Sequence, residues 1–403
     1  PAAPALASAK RAVVIGAGLA GSAAAQRLCA RGWRVTLIER HAQPAQEASG
    51  NLAGIFMPLL SRDDNIPTRL SRAAYLFALR EWHRMGGVGR VFDGADCGVL
   101  QLARDERHAR VQRDALAQWN YPQEYARWAG ADEASTLIGA ATPHGGWLFE
   151  RGGWARPASL CEAMLASCGD NLQRVFCTEA LELRRQDEEW RVHGADGKLL
   201  AEAPTVILAS GAAADRIAQA AELPLFKLRG QVTHLPVDGA ARPPVLPLVV
   251  CREAYVTPPS QGMVCAGATY DNDDDPVLRA SSQQENLARL AEIIPGDDVA
   301  ALAQSAPLAG RVGFRCAAPD RLPLAGALPD YPNAGRLECL PDVPRHPGLH
   351  CLLGYASRGL IWAPLMAELL VSQLEGTPPP LEAALVDALD PGRFLLKQRR
   401  REQ

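Results

Sequence analysis

Residues 16–21 read Gly-Ala-Gly-Leu-Ala-Gly, set between an apolar run at 11–15 and an alanine-rich stretch at 22–31. A glycine loop placed there restricts the chain locally to strand, tight turn and helix. Gly16 permits the turn, Gly18 admits a close ligand approach, and Gly21 lets the helix pack tightly on the sheet. Gly32 stands where a left-handed residue ends a helix, and residues 33–39 (WRVTLIE) read as a second strand. The unit is a βαβ with parallel strands and a right-handed crossover. Its helix N-terminus aims free N–H groups and the positive dipole end at a phosphate. Glu39 closes the second strand about 20 residues after Gly18, where a carboxylate accepts bonds from ribose hydroxyls and repels a 2′-phosphate. Together these features predict a dinucleotide site for FAD or NAD.

Two further segments separate those cofactors. Residues 48–54 (ASGNLAG) offer small side chains and Ser/Asn polar groups suited to a pyrophosphate and ribityl chain. Residues 354–360 (GYASRGL) open the last long helix, whose N–H groups can cap an electron-rich flavin edge. A nicotinamide enzyme has no need of this third element, so the pattern favours FAD.

The remaining periodicity predicts a helix over 67–85 stopped by Gly86-Gly87, a strand at 98–103, and helices at 105–120 and 160–169. Hairpin strands follow at 181–192, and a buried strand at 205–208 runs into Ala209-Ser210-Gly211. The pattern is mostly β from 228 to 270. A helix at 283–294 ends at Pro295-Gly296, and the last long helix runs from Pro364 to Leu374. Nucleotide-binding strands are thus dispersed, which predicts an α/β fold: a discontinuous Rossmann-type FAD-binding domain (11–65, 150–225 and 311–390) with an inserted α+β substrate domain (66–149 and 226–310). Residues 1–10 read as a linker remnant of a longer chain, and 391–403 as a basic tail.

Composition narrows the partners. Across 403 residues, 42 Lys+Arg against 45 Asp+Glu give a net charge of −3, which excludes bulk coating of nucleic acid and permits a local basic face. The ten cysteines include no CxxC pair and read as reduced thiols in a cytoplasmic protein. The best apolar stretch, 359–374, carries Pro364 and Glu368 and is too short for a membrane span. Pro347 separates His346 from His350, and no metal site is expected.

Several strings carry a family resemblance: ASGNLAGIFMPLLSRDDN (48–65), GGWARPASLC (152–161), TVILASG (205–211), LRGQVTHLP (228–236), VGFRCAAPDRLPLAG (312–326) and GYASRGLIWAPLMAELL (354–370). The chain resembles the D-amino-acid-oxidase/glycine-oxidase class of FAD amine oxidases. More narrowly, it resembles the FAD-dependent C-terminal domain of the MnmC family, bacterial tRNA wobble-uridine modification proteins. The resemblance implies a D-amino-acid-oxidase-like fold and non-covalent FAD. It also implies oxidative removal of the carboxymethyl group of carboxymethylaminomethyl-(2-thio)uridine in tRNA, leaving aminomethyluridine and glyoxylate. Family members usually carry an N-terminal S-adenosylmethionine-dependent methyltransferase domain, for which nothing before Ala12 suffices. The alternative is an oxidase of free glycine, sarcosine or a D-amino acid; a non-catalytic flavin-bound RNA-binding protein is a third.

For the cofactor the resemblance implies Gly16, Gly18, Leu19, Ala20, Gly21, Glu39 and Arg40. It adds Ser49, Gly50, Asn51, Leu52, Ala53 and Gly54, then Ala180, Ala209, Ser210 and Gly211, and finally Arg358, Gly359, Leu360 and Ile361. Arg315 matches the family's carboxylate-binding arginine; the structural alternative is an ion pair with Asp320. Tyr255 matches a substrate-orienting position, against a half-buried sheet aromatic. Arg358 can polarise the flavin or touch substrate, against a helix-start arginine that binds a carbonyl. Cys316 invites a covalent flavin, but its register differs from the flavin-linked cysteine of the sarcosine-oxidase branch. Asp63-Asp64-Asn65 reads as a loop ordering the flavin site, and the acidic run 271–275 as a solvated turn rather than a calcium loop. For tRNA, Arg62, Arg69, Arg72, Arg80 and Arg84, or the tail Lys397, Arg399, Arg400 and Arg401, can supply positive charge, against ordinary solvated faces and a frayed tail.

Overall fold

The computed structural model describes residues 10–238, 243–295, 299, 301–302 and 308–402. Residues 1–9 of the linker expected at 1–10, and the helix stop at Gly296, lie outside the described residues. Strand Arg11–Ile15, helix Leu19–Ala30 and strand Arg34–Ile38 form the expected βαβ unit, its strands parallel with Val13 beside Thr36. They belong to a six-stranded sheet ordered Leu324–Pro329, Arg345–Leu353, Thr205–Leu208, Arg11–Ile15, Arg34–Ile38, Leu172–Val175. Leu324–Pro329 runs antiparallel to its neighbour, and the other pairs are parallel.

Strand alternation divides the core in two. Ala12, Val14, Leu37 and Ile207 enter one cluster, with helices Leu19–Ala30, Pro157–Ala166 and Gly359–Glu375. Val13, Ile15, Val206 and Leu208 enter the other, under the antiparallel ribbon Glu182–Gln186, Glu189–His193 and Leu199–Ala203. Helix Gly359–Glu375 is apolar on most of its surface because Leu19–Ala30 and Ile66–Met85 both pack on it. It begins ahead of Pro364, which sits inside it and deprives the Leu360 carbonyl of its usual donor. Burial of the surrounding turns, worth about 1.5–3 kcal/mol per large apolar side chain, outweighs that lost bond.

The second layer is an eight-stranded sheet ordered Ala309–Ala317, Phe226–Pro236, Met263–Gly267, Tyr255–Val256, Val249–Cys251, Val99–Leu102, Gly146–Phe149, Arg127–Ala129. The domain boundary expected at 310/311 therefore falls inside a strand of this sheet. Two expectations need correction, and a third, the exposed turn at 271–275, gains partners. Asp63-Asp64-Asn65 serves a helix: Asn65 caps Ile66–Met85 by accepting from the Thr68 N–H (3.1 Å), and Asp64 takes both arms of Arg72 (2.7 and 3.0 Å). The run 271–275 is held by two arginines, the wholly buried Arg229 on Asp271 (3.0 Å) and Arg279 on Asp273 and Asp275. The basic tail is a docked helix, Arg393–Arg401, with Leu395 in the core and Arg393 on Asp320.

Burial pushes the His350 imidazole down to about 4, and its Nδ1 is buried without a hydrogen-bond partner. The unfolded chain, with an ordinary histidine near 6.5, takes up this proton first as pH falls. Stability is full above about 6.5 and declines toward about 4, by up to about 3 kcal/mol for this group. His350→Leu is expected to flatten that part of the pH dependence of the denaturant midpoint. An unchanged slope rules the imidazole out.

Candidate active site

The glycine loop has the strain and clearances that its spacing demands. Gly16 has φ +104°, and a Cβ there would lie 2.7 Å from the Ala209 carbonyl oxygen. A Cβ on Gly21 would fall on the Gly16 carbonyl, which accounts for its place beneath the loop. Gly18 caps helix Leu19–Ala30, and the Leu19 N–H donates to Ser49 Oγ (3.2 Å), tying the first loop to the second. Glu39 Oε2 accepts from the Ala17 N–H (2.7 Å) and Oε1 from the His41 N–H (2.9 Å). The carboxylate is thereby fixed, with lone pairs left to accept further donors.

A cavity of about 430 Å³ runs from this loop to the eight-stranded sheet. It is lined by Gly16, Gly18, Leu19, Ala20, Glu39, Arg40, Ser49, Asn51, Gly54, Ala180, Ala209, Ser210 and Gly211, and also by Tyr255, Arg315, Arg358, Gly359 and Leu360. Of the sequence-predicted cofactor residues, Gly21, Gly50, Leu52, Ala53 and Ile361 do not line it. Ala53 and Ile361 are core residues, and the Leu52 carbonyl accepts from Ser260 Oγ (3.1 Å). Gly50 has no room for a Cβ because the Arg311 guanidinium lies against it. Arg40 pairs with Glu47 at the rim.

Arg311 is a residue the sequence reading missed. Its Nη2 donates to the Gln46 and Glu47 carbonyls (2.6 Å each) and so holds the loop that lines the cavity. Burial lowers its guanidinium below the usual arginine range. No local signal marks it, because the partner loop is distant in sequence.

At the far end, Arg315 stands on strand Ala309–Ala317 opposite Leu228, and its guanidinium fills the space a side chain at Gly230 would take. Its Nη1 donates to the Thr269 carbonyl (3.3 Å), and its guanidinium lies 4.4 Å from the centre of the Tyr270 ring. Asp320 is engaged by Arg393 (2.9 and 3.0 Å), so the alternative ion pair with Arg315 does not form. Among the described residues no carboxylate lies in ion-pair range of Arg315 or Arg358. Arg358 Nη1 reaches the Met57 carbonyl (3.4 Å), and burial lowers its guanidinium. Burial raises the Tyr255 and Tyr355 phenols well above their usual range. The Cys316 thiol, also on the cavity wall, is pushed up to about 11 by burial.

These residues fit a dinucleotide carrying a ring system. Bare glycine backbone and a helix N-terminus on the cavity wall suit phosphates, and the Glu39 carboxylate suits ribose hydroxyls. Ser210 Oγ and the Tyr355 hydroxyl, both from cavity-lining residues, are buried without partners and can bond a ligand there. Of the arginines expected as an RNA face, Arg69 pairs with Glu382, Arg72 with Asp64, and the exposed Arg80 and Arg84 with Glu81. Among the described residues there is no cluster able to hold a metal ion and no helix long and apolar enough to cross a membrane.

The fold and the glycine-lined cavity define a flavin-dependent oxidoreductase. The chain belongs to the FAD dependent oxidoreductase family DAO, whose sequence pattern matches residues 11–373. It is 46% identical over 405 residues to the tRNA 5-methylaminomethyl-2-thiouridine biosynthesis bifunctional protein MnmC of Paraburkholderia phytofirmans, covering 98% of this chain and 61% of that protein. The MnmC of Azoarcus sp. is 46% identical over 392 residues, with 97% and 61% covered. The chain thus spans about 61% of the length of these curated relatives. Among solved structures it is similar to glycine oxidase from Geobacillus kaustophilus (TM-score 0.75, 21% identity, 94% of this chain and 98% of that one). It is also similar to iminodiacetate oxidase from Chelativorans sp. BNC1 (TM-score 0.72, 25% identity, 94% and 99%). The D-amino-acid-oxidase-like α/β fold expected from the sequence is therefore the fold observed.

Proposed function

We propose that this chain removes the carboxymethyl group of carboxymethylaminomethyl-(2-thio)uridine at the tRNA wobble position, giving aminomethyl-(2-thio)uridine and glyoxylate. The observation that carries this reading is the 46% identity, over nearly the whole chain, to relatives named for 5-methylaminomethyl-2-thiouridine biosynthesis. FAD, when bound, supplies the hydride acceptor. The glycine loop, Glu39 and residues 209–211 hold its nucleotide half, and Arg358 with the start of helix Gly359–Glu375 faces the ring end. Arg315 binds the substrate carboxylate through its guanidinium fork, and Tyr255 orients it. Two half-buried guanidiniums without carboxylate partners favour the neutral substrate amine, which must lose its proton before the adjacent CH2 gives up hydride. The resulting C=N bond takes up water and breaks to amine and glyoxylate.

A methyltransferase, fused or separate, completes the conversion that the word "bifunctional" in the relatives' names suggests. The ten free cysteines support a reducing, cytoplasmic setting. We divide the chain into an FAD-binding part built on the six-stranded sheet and a substrate part built on the eight-stranded one. A second reading, oxidation of a free carboxymethylamine, draws support from the likeness to iminodiacetate oxidase, since iminodiacetate is itself a secondary amine bearing carboxymethyl groups. Nucleoside analysis of treated tRNA decides between them. Loss of the carboxymethylaminomethyl nucleoside with matching glyoxylate supports the first reading, and an unaltered nucleoside profile rejects it.

A further inference from the structure

Tyr270 lines the same cavity as Tyr255, Arg315 and Arg358, yet keeps 54% of its surface exposed. Its backbone is braced on both sides. Before it, the wholly buried Thr269 donates its N–H to the Gln231 carbonyl (3.2 Å). Thr269 Oγ1 accepts from the Gln231 N–H (3.1 Å) and donates to Asp271 Oδ2 (3.3 Å). After it, Asp271 exchanges two backbone hydrogen bonds with Arg229 (3.0 Å each), and its carboxylate accepts from Arg229 Nη1 (3.0 Å). The ring is also backed by the Arg315 guanidinium at 4.4 Å. A ring on a braced backbone, with a cation behind it and open surface in front, offers a π-face, and what fits a π-face is another flat ring.

We propose that Tyr270 is a stacking platform for the pyrimidine ring that carries the carboxymethylaminomethyl arm. The inference rests on the tRNA reading above and deepens it. A base stacked on the open side has to lie toward the edge of the phenol, so that its five-bond arm, extended past that edge, presents the carboxylate to Arg315 behind the ring. A small free amine places nothing on that surface. Tyr270 therefore sets the preference for a nucleoside-borne amine over a free one.

The test compares wild type, Tyr270→Phe and Tyr270→Ala, each loaded with FAD, with bound flavin per chain and unfolding midpoint as controls for folding. The substrates are tRNA bearing carboxymethylaminomethyluridine, and sarcosine, which has the same N–CH2–COO− unit and no base. The kcat/KM ratio of tRNA to sarcosine is expected to fall by about tenfold or more in Tyr270→Ala and to persist in Tyr270→Phe. An unchanged ratio in Tyr270→Ala, or an equal fall in Tyr270→Phe, overturns the platform while leaving tRNA oxidation by the wild type intact. A wild-type enzyme that oxidises sarcosine and leaves tRNA untouched overturns the platform and the tRNA reading together.

Discussion

Exchanging Arg315 for Ala is expected to raise KM for a carboxymethylamine substrate by more than tenfold, while Arg315→Lys recovers part of the loss. The guanidinium faces the cavity with one bond to the Thr269 carbonyl and no carboxylate partner in range, so most of its donors are free for a ligand. A tenfold loss corresponds to about 1.4 kcal/mol, a modest share of what a charge-assisted fork contributes. Lysine keeps the charge but presents no fork. Because the carboxylate is bound in ground state and transition state alike, KM moves more than kcat. Steady-state kinetics on all three proteins measure this, and an unchanged KM in Arg315→Ala removes Arg315 from the site.

The second large effect falls on the cofactor. Gly16→Ala places a side chain at φ +104°, at a strain cost of about 1–3 kcal/mol, and drives its Cβ against the Ala209 carbonyl. Ala209 and Ser210 line the same cavity, so relief of the clash displaces the wall where the dinucleotide lies. The variant is expected to purify with little bound flavin. Gly32→Ala is the control: φ is +78°, but nothing lies within 4 Å of its Cβ position. It is expected to lose about 1 kcal/mol of stability and keep its flavin. Flavin absorbance per chain and denaturant midpoints separate the two, and equal flavin content in both variants contradicts the argument.

Much of the fold could be read from local pattern. The βαβ unit, the strand Thr205–Leu208 and the helix Ile66–Met85 are set by short-range alternation, caps and glycine stops, and the structure reproduces them to within a residue or a few. Pairing across distance could not be read that way. Val249–Cys251 lies parallel to Val99–Leu102, an arrangement no local periodicity encodes. The same limit applies to the site. The glycine cradle and Glu39 were visible because loop, helix and strand adjoin in sequence. Arg229 and Arg311 were not, because each holds a segment brought to it by sheet pairing or loop packing. The partner of the exposed acidic run 271–275 was hidden for this reason: Arg229, its buried counter-charge, stands on another strand.

The central claim is that the cavity oxidises a carboxymethylamine borne on tRNA. Anaerobic mixing of the FAD-loaded protein with tRNA carrying carboxymethylaminomethyluridine, set beside glycine and sarcosine, tests it most directly. Rapid bleaching of the flavin by the modified tRNA, and not by tRNA lacking the arm, is the predicted result. Bleaching by the free amino acids with none by the modified tRNA would contradict it.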